Sequence, residues 1–240
     1  MNSCRIVAIG GGGFSDWGDS GFLDDYLLGL TGKPKPKVCF LATASGDSAQ
    51  YITQFYIHFP VGRAIASHVG LFHYSVRDPR SHIMGQDIIY VGGGSTVNLL
   101  AIWRAHGMDS TLRDAWRQGV ILAGISAGAL CWFESGITLS SGHAEPIGNC
   151  LGFLPGSFCP HYRSQPEVGR QFRQMVATGE LPAGLALDDG AAACFTGEEL
   201  TEVVTQVPGA TGYVIRESKG QPEQTALPAR SVRPVPADGG

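Results

Sequence analysis

Short apolar runs alternate with amphipathic stretches along most of this chain. Runs at 5–9, 37–43, 70–74, 87–91, 120–123, 184–187 and 191–195 have the length and composition of strands. Stretches at 21–30, 48–59, 96–106, 110–118 and 127–133 predict helices. Between 167 and 178, Val168, Phe172, Met175 and Val176 fall at i, i+4, i+7 and i+8, a single helical stripe. Strands interleaved with helices predict an α/β fold, a three-layer sandwich with a largely parallel central sheet. In such sheets functional groups gather beyond the carboxyl ends of the strands, where this chain puts its glycine-rich runs.

The alternation stops near residue 216. Residues 1–216 read as one α/β domain, and 217–240 as a Pro-rich tail with too little apolar surface to order itself. The first strand begins too soon, and is too limited by glycine, to serve as a secretory leader.

The run Val120-Ile-Leu-Ala-Gly124-Ile125-Ser126-Ala127-Gly128 leads a predicted strand into Gly-x-Ser-x-Gly. That spacing is the mark of a nucleophile elbow, a tight strand-to-helix turn that lifts a serine hydroxyl clear of the sheet. The flanking glycines leave room where any side chain would strike a neighbouring segment. Serine needs a base to take its proton and an acid to orient that base. Of the seven histidines, most sit near helix ends or flank a strand. His161 lies in Cys-Pro-His-Tyr-Arg, a stiffened approach to a loop, and is the candidate base. Leu187-Asp188-Asp189-Gly190 ends an apolar run with two candidate acids, only one of which can face His161, because neighbouring strand residues point to opposite sides. The order serine, histidine, acid argues against the usual α/β-hydrolase arrangement, in which histidine comes last. Oxyanion donors are the Ala127 N–H at the helix start and the backbone of Gly92-Gly93-Gly94 after the strand at 87–91.

Composition narrows the partners. The net charge of −4 does not suit a phosphate backbone. No apolar run reaches the roughly 18–20 residues that span a bilayer. Six scattered cysteines without a C-x-x-C pair predict buried free thiols and a reducing, cytoplasmic setting. Neither H-E-x-x-H nor a cluster of His and Cys ligands occurs, so no metal and no cofactor are expected.

Four segments together resemble the peptidase E family of serine peptidases, the aspartyl dipeptidases, to which cyanophycinases are more distantly related. They are Tyr90-Val-Gly-Gly-Gly-Ser-Thr-Val-Asn-Leu-Leu100, Gly124-Ile-Ser-Ala-Gly128, Pro160-His161 and Leu187-Asp188-Asp189-Gly190, and the resemblance runs from about Arg5 to about Phe195. It implies a fold like that of the class I glutamine amidotransferases, with Ser126 as nucleophile, His161 as base and Asp189 as acid. The best-known members carry glutamate at that last position, and Asp188 is the fallback. Gly93 or Gly94 with Ala127 would form the oxyanion hole. The family holds the N-terminal aspartate of short peptides with basic residues, which points to Arg170 and Arg173, with Arg163 as a nearer alternative. A short peptide is the implied partner, and monomer and homodimer both stay open. The departures around His161 and at the acid also fit a broader, non-aspartyl dipeptidase. An esterase or other acyl hydrolase would use the same elbow, and a nucleotide-binding protein would use the glycine loops to hold phosphate. The segment between Gly136 and Gly156 is the candidate cover for the site.

Overall fold

The computed structural model describes residues 4–15, 21–73 and 75–233. In chain order the elements are β1 (Arg5–Ile9), α1 (Phe22–Gly29), β2 (Lys37–Leu41), α2 (Ala49–His58), β3 (Ile65–His68), α3 (Pro79–Met84), β4 (Ile88–Val91), α4 (Thr96–Ala105), α5 (Met108–Arg117), β5 (Ile121–Ile125) and α6 (Ala127–Leu130). They continue as β6 (Phe133–Thr138), β7 (Glu145–Ile147), β8 (Leu154–Cys159), α7 (Pro166–Ala177), β9 (Gly184–Leu187), β10 (Ala191–Thr196), β11 (Glu199–Thr205), β12 (Gly212–Ser218), β13 (Gln221–Ala226) and β14 (Ala229–Ser231).

Among the described residues the strands form two sheets. One has eight strands in the order β14-β11-β10-β1-β5-β4-β2-β3, and its β1-β5-β4-β2-β3 half is parallel throughout. Strands β1, β2, β4 and β5 are apolar at nearly every position because both faces are covered, whereas the edge strand β3 is partly exposed. Val7 and Ile9 face Leu23, Leu27 and Phe55 of α1 and α2, whereas Ile6 and Ala8 face the side that holds Leu99, Trp103 and Leu112 of α4 and α5. Helix on sheet on helix is the three-layer arrangement expected from the alternation.

The helix starts follow their caps. Ser95 Oγ accepts from Asn98 N–H at 3.2 Å to open α4. Asp78 accepts from Ser81 N–H at 3.0 Å ahead of Pro79, the first residue of α3.

The second sheet, β13-β12-β9-β8-β6-β7, has six strands and lies beyond what the alternation predicts. Its strands include Leu-Pro-Gly-Ser-Phe-Cys and Gln-Pro-Glu-Gln-Thr-Ala, whose glycine, proline and polar residues hide the period of two. Helix α7 covers one face through Phe172 and Val176, which pack with Ile137, Tyr213 and Ile215. Phe133 and Phe158 stack at 4.7 Å, and Phe133 meets Phe195 of β10 edge to face, so an aromatic seam joins the two sheets.

Three expectations need correction. The strand expected at 70–74 is instead β3, a few residues earlier; the turn at 71–73 is held by Asp47, whose carboxylate accepts the N–H groups of Leu71 and Phe72. Residue 74 lies outside the described residues. The helix expected at 127–133 stops at Leu130, because Phe133 already belongs to β6. The tail expected from 217 onward is ordered through Ser231. Strand β13 is largely exposed yet pairs with β12 along its length, and β14 pairs with β11. Backbone pairing at sheet edges orders this segment, helped by Leu227, Ala229 and Val232, which pack partly buried against the cores. The last seven positions, 234–240, lie outside the described residues. No helix among the described residues is long and apolar enough to cross a membrane.

Candidate active site

Strand β5 delivers Ser126 to the carboxyl edge of the eight-stranded sheet. Its N–H donates to Ile9 O of the neighbouring β1 at 3.1 Å, and its backbone is forced to φ 56°, ψ −116°. Positive φ at a residue with a side chain is strained, and here the turn demands it. A Cβ on Gly124 would collide with the carbonyl of Gly128, and one on Gly128 would collide with the carbonyl of Val91. Both flanking glycines of the elbow are therefore sterically required.

His161 follows β8 and also takes positive φ, 54°. Its Nε2 lies 2.9 Å from Ser126 Oγ, and its Nδ1 lies 2.6 Å from Asp189 Oδ1. Asp189 sits just beyond β9. Burial pushes its carboxyl up, but hydrogen bonds from His161 and Ser164 outweigh that and hold it below the ordinary aspartate range. Asp188 points the other way. Its buried Oδ2 accepts from Arg163 Nε at 2.8 Å and from Thr211 N–H at 3.0 Å. Of the two candidate acids, Asp189 alone contacts His161. His58, His68, His82 and His143 pair with Asp24, Tyr56, Ser67 and Ser141 respectively, away from Ser126.

The glycine run after β1 joins this site, a role the sequence did not disclose. Gly10 O accepts from His161 N–H at 3.2 Å, and Gly11 O accepts from Gly190 N–H at 2.8 Å. A Cβ on Gly11 would lie 2.6 Å from His161 Nδ1 and would strike Asp189 Oδ1. The only signal was the run of glycines itself, which equally suits a phosphate loop.

Gly93 packs beside the serine: a Cβ there would lie 3.3 Å from Ser126 Cβ. Its N–H donates to Tyr51 Oη at 3.3 Å, a long bond. Gly94 takes φ 139° and lines the cavity in front of Ser126 together with Ala127. Ala127 opens α6, where its N–H has no carbonyl four residues back inside the helix.

That cavity, about 250 Å³, is walled by Leu130, Ile137, Leu139 and Val168, with Thr138 and Gln165 as polar members. Residues 137–139 come from the segment expected to cover the site. None of the three arginines lines it. Arg163 is engaged by Asp188 and by Gly209 O. Arg170 pairs with Glu167 one helical turn away on an exposed face. Arg173 donates to Tyr162 Oη at 2.8 Å and lies over that ring. The cysteines are free, and burial pushes the thiols of Cys39, Cys150 and Cys194 up to about 12, which leaves them poor nucleophiles.

The sequence profile of peptidase family S51 matches residues 6–203. The chain is 43% identical over 226 residues to an uncharacterized peptidase, YgaJ, of Bacillus subtilis (strain 168), covering 94% of this chain and 98% of that one. It is 27% identical over 135 residues to Peptidase E of Shewanella denitrificans, 51% of this chain and 56% of the relative. Among solved structures it is similar to a peptidase from an acI-B1 Actinobacterium, with TM-score 0.65, 16% identity and coverage of 93% and 96%. A putative peptidase E protein from Listeria monocytogenes EGD-e gives TM-score 0.60 and 18% identity, covering 82% of this chain and 96% of that one. These two likenesses show a fold shared with peptidase structures, one of them a putative peptidase E, consistent with the glutamine amidotransferase-like architecture expected.

Proposed function

Because the chain belongs to peptidase family S51 and is a peptidase by that membership, we propose that it is a serine-type dipeptidase acting on short peptides with an uncharged first residue. The reading is carried by the continuous hydrogen-bonded path from Ser126 Oγ to His161 Nε2 at 2.9 Å and from His161 Nδ1 to Asp189 at 2.6 Å. Ser126 Oγ attacks the scissile carbonyl and its proton passes to His161 Nε2. Asp189, kept ionised, accepts the Nδ1–H, fixes the tautomer and stabilises the imidazolium as it forms. Ala127 N–H and Gly94 N–H are the proposed donors to the oxyanion. Gly93 N–H joins them if the oxyanion displaces Tyr51, since a developing charge is a stronger acceptor than a phenol oxygen at 3.3 Å. His161 then protonates the leaving amine, and a water activated by the same base resolves the acyl-enzyme.

The proposed specificity rests on what walls the cavity. Apart from His161 its lining side chains are uncharged, and the arginines that would hold an aspartate lie elsewhere. An aspartate side chain placed against Leu130, Ile137 and Val168 would lose hydration without gaining a partner. The test is a dipeptide panel of Asp-Leu, Glu-Leu, Leu-Leu, Met-Leu and Ala-Ala with the wild type and Ser126→Ala. Neutral peptides should be cleaved, and Ser126→Ala should lose at least about 10³-fold in kcat. Full activity in Ser126→Ala would sink the serine mechanism, and cleavage confined to Asp-Leu would return the specificity to aspartate.

A further inference from the structure

Arg163, the nearer alternative for holding substrate, does not line the cavity; its guanidinium ties three loops together. Nε and Nη2 reach Asp188 Oδ2 at 2.8 and 2.7 Å, and Nη2 also donates to Gly209 O at 2.5 Å. Asp188 directly precedes Asp189, and Arg163 stands two residues after His161. The side chain of Asp188 is 4% exposed and is met by this partner, by Thr211 N–H at 3.0 Å and by Tyr213 Oη at 3.4 Å. Around the pair, Tyr162 N–H donates to Leu187 O at 3.0 Å and Asp188 N–H donates to Thr211 O at 3.0 Å. The loops that present base and acid are thus joined through backbone and side chain at once.

We propose that the Arg163–Asp188 ion pair is a positioning device for the catalytic pair, holding the His161 turn and the Asp189 peptide in register so that Nδ1 and Oδ1 meet. This rests on the serine peptidase reading above. Two features call for such a brace. His161 occupies the left-handed region at φ 54°, a conformation that persists only where surrounding contacts over-determine it. Asp189 must turn toward His161 while its neighbour turns inward, and anchoring Asp188 fixes that choice. Removing Arg163 leaves a buried carboxylate short of its counter-charge, which drives the peptide to relax toward water and carries Asp189 with it.

The experiment is steady-state kinetics of Arg163→Gln, Arg163→Lys and Asp188→Asn on a neutral dipeptide, with the rate of Ser126 labelling by a fluorophosphonate measured alongside. Arg163→Gln should lower kcat by about 10–100-fold with KM within about threefold, the size of effect expected when reacting groups shift by around an ångström. Labelling should slow by a similar factor. Arg163→Lys should recover part of the loss, because it keeps the charge but not the fork. In an Asp189→Ala background Arg163→Gln should add nothing further, since the brace acts through Asp189. If Arg163→Gln does not fold, Asp188→Asn, which keeps the shape of the side chain, carries the same kcat test. Wild-type kcat in a folded Arg163→Gln overturns the proposal. So does a rise in KM confined to acidic dipeptides, which would make Arg163 a substrate ligand, or an equal loss in both backgrounds. A wild type that labels at Ser126 but cleaves no dipeptide refutes the dipeptidase reading while labelling rates still decide the brace. A wild type that does not label refutes both.

Discussion

A methyl group on Gly11 would sit where His161 and Asp189 meet. Gly11→Ala should therefore cut kcat by at least about 100-fold while the circular dichroism spectrum stays native, because the collision is local to the pair. Wild-type turnover in that variant would mean that base and acid meet elsewhere. Asp189 also makes stability depend on pH. Its carboxyl is held below the ordinary aspartate range in the folded chain, so the stability from its pairing is fully present above that range and is lost as pH falls through the depressed value. Thermal midpoints of wild type and Asp189→Asn should accordingly differ at pH 7 and converge in strong acid. At this scale the contact among Ser126, His161 and Asp189 was legible because sharp turns restrict residue types: an elbow needs small neighbours, and a strand end offers few acids. Gly11 was not legible, since a glycine run states only that backbone comes close to something. The direction of Arg163, Arg170 and Arg173 was hidden for a related reason, as nothing local tells a long side chain which carboxylate it will find.

Elements were readable where one rule dominates. Strands β1, β2, β4 and β5 are buried on both faces, and their continuous apolar runs announce them. The stripe of α7 is equally plain, with Phe172 and Val176 buried on one side. Strands β6, β8, β12 and β13 obey pairing before burial, so glycine, proline and glutamate sit in them without penalty and without signal. Two predictions belong here. Ser95→Ala, which removes the cap of α4, should cost about 1 kcal/mol in urea unfolding. A chain ended after Lys219 loses β13 and β14, and with them the bond from Tyr162 Oη to Gln224 at 2.5 Å. It should show a lower thermal midpoint and a lower kcat, because Tyr162 directly follows His161. An unchanged midpoint would show that the last strands are ornament.

Across the whole molecule the aromatic seam of Phe133, Phe158 and Phe195 makes the two sheets share one apolar interior. Phe158→Ala should destabilise by about 3–5 kcal/mol, and fluorescence and circular dichroism should report the same urea midpoint. Separate midpoints would show the sheets to be independent. The layered framework was readable from the sequence because the continuous apolar runs of its parallel half announce it; the second sheet was not, because glycine, proline and exposed polar residues blur the period of two in the stretches that build it.

The site itself is collected from four such stretches, around Gly11, Ser126, His161 and Asp189. A ribosome delivers them in that order, so Ser126 is made before the proposed base and acid. A chain synthesised only past Ser126 thus holds an ordinary hydroxyl, and under the proposed mechanism it becomes a nucleophile only once the stretches around His161 and Asp189 have folded against it.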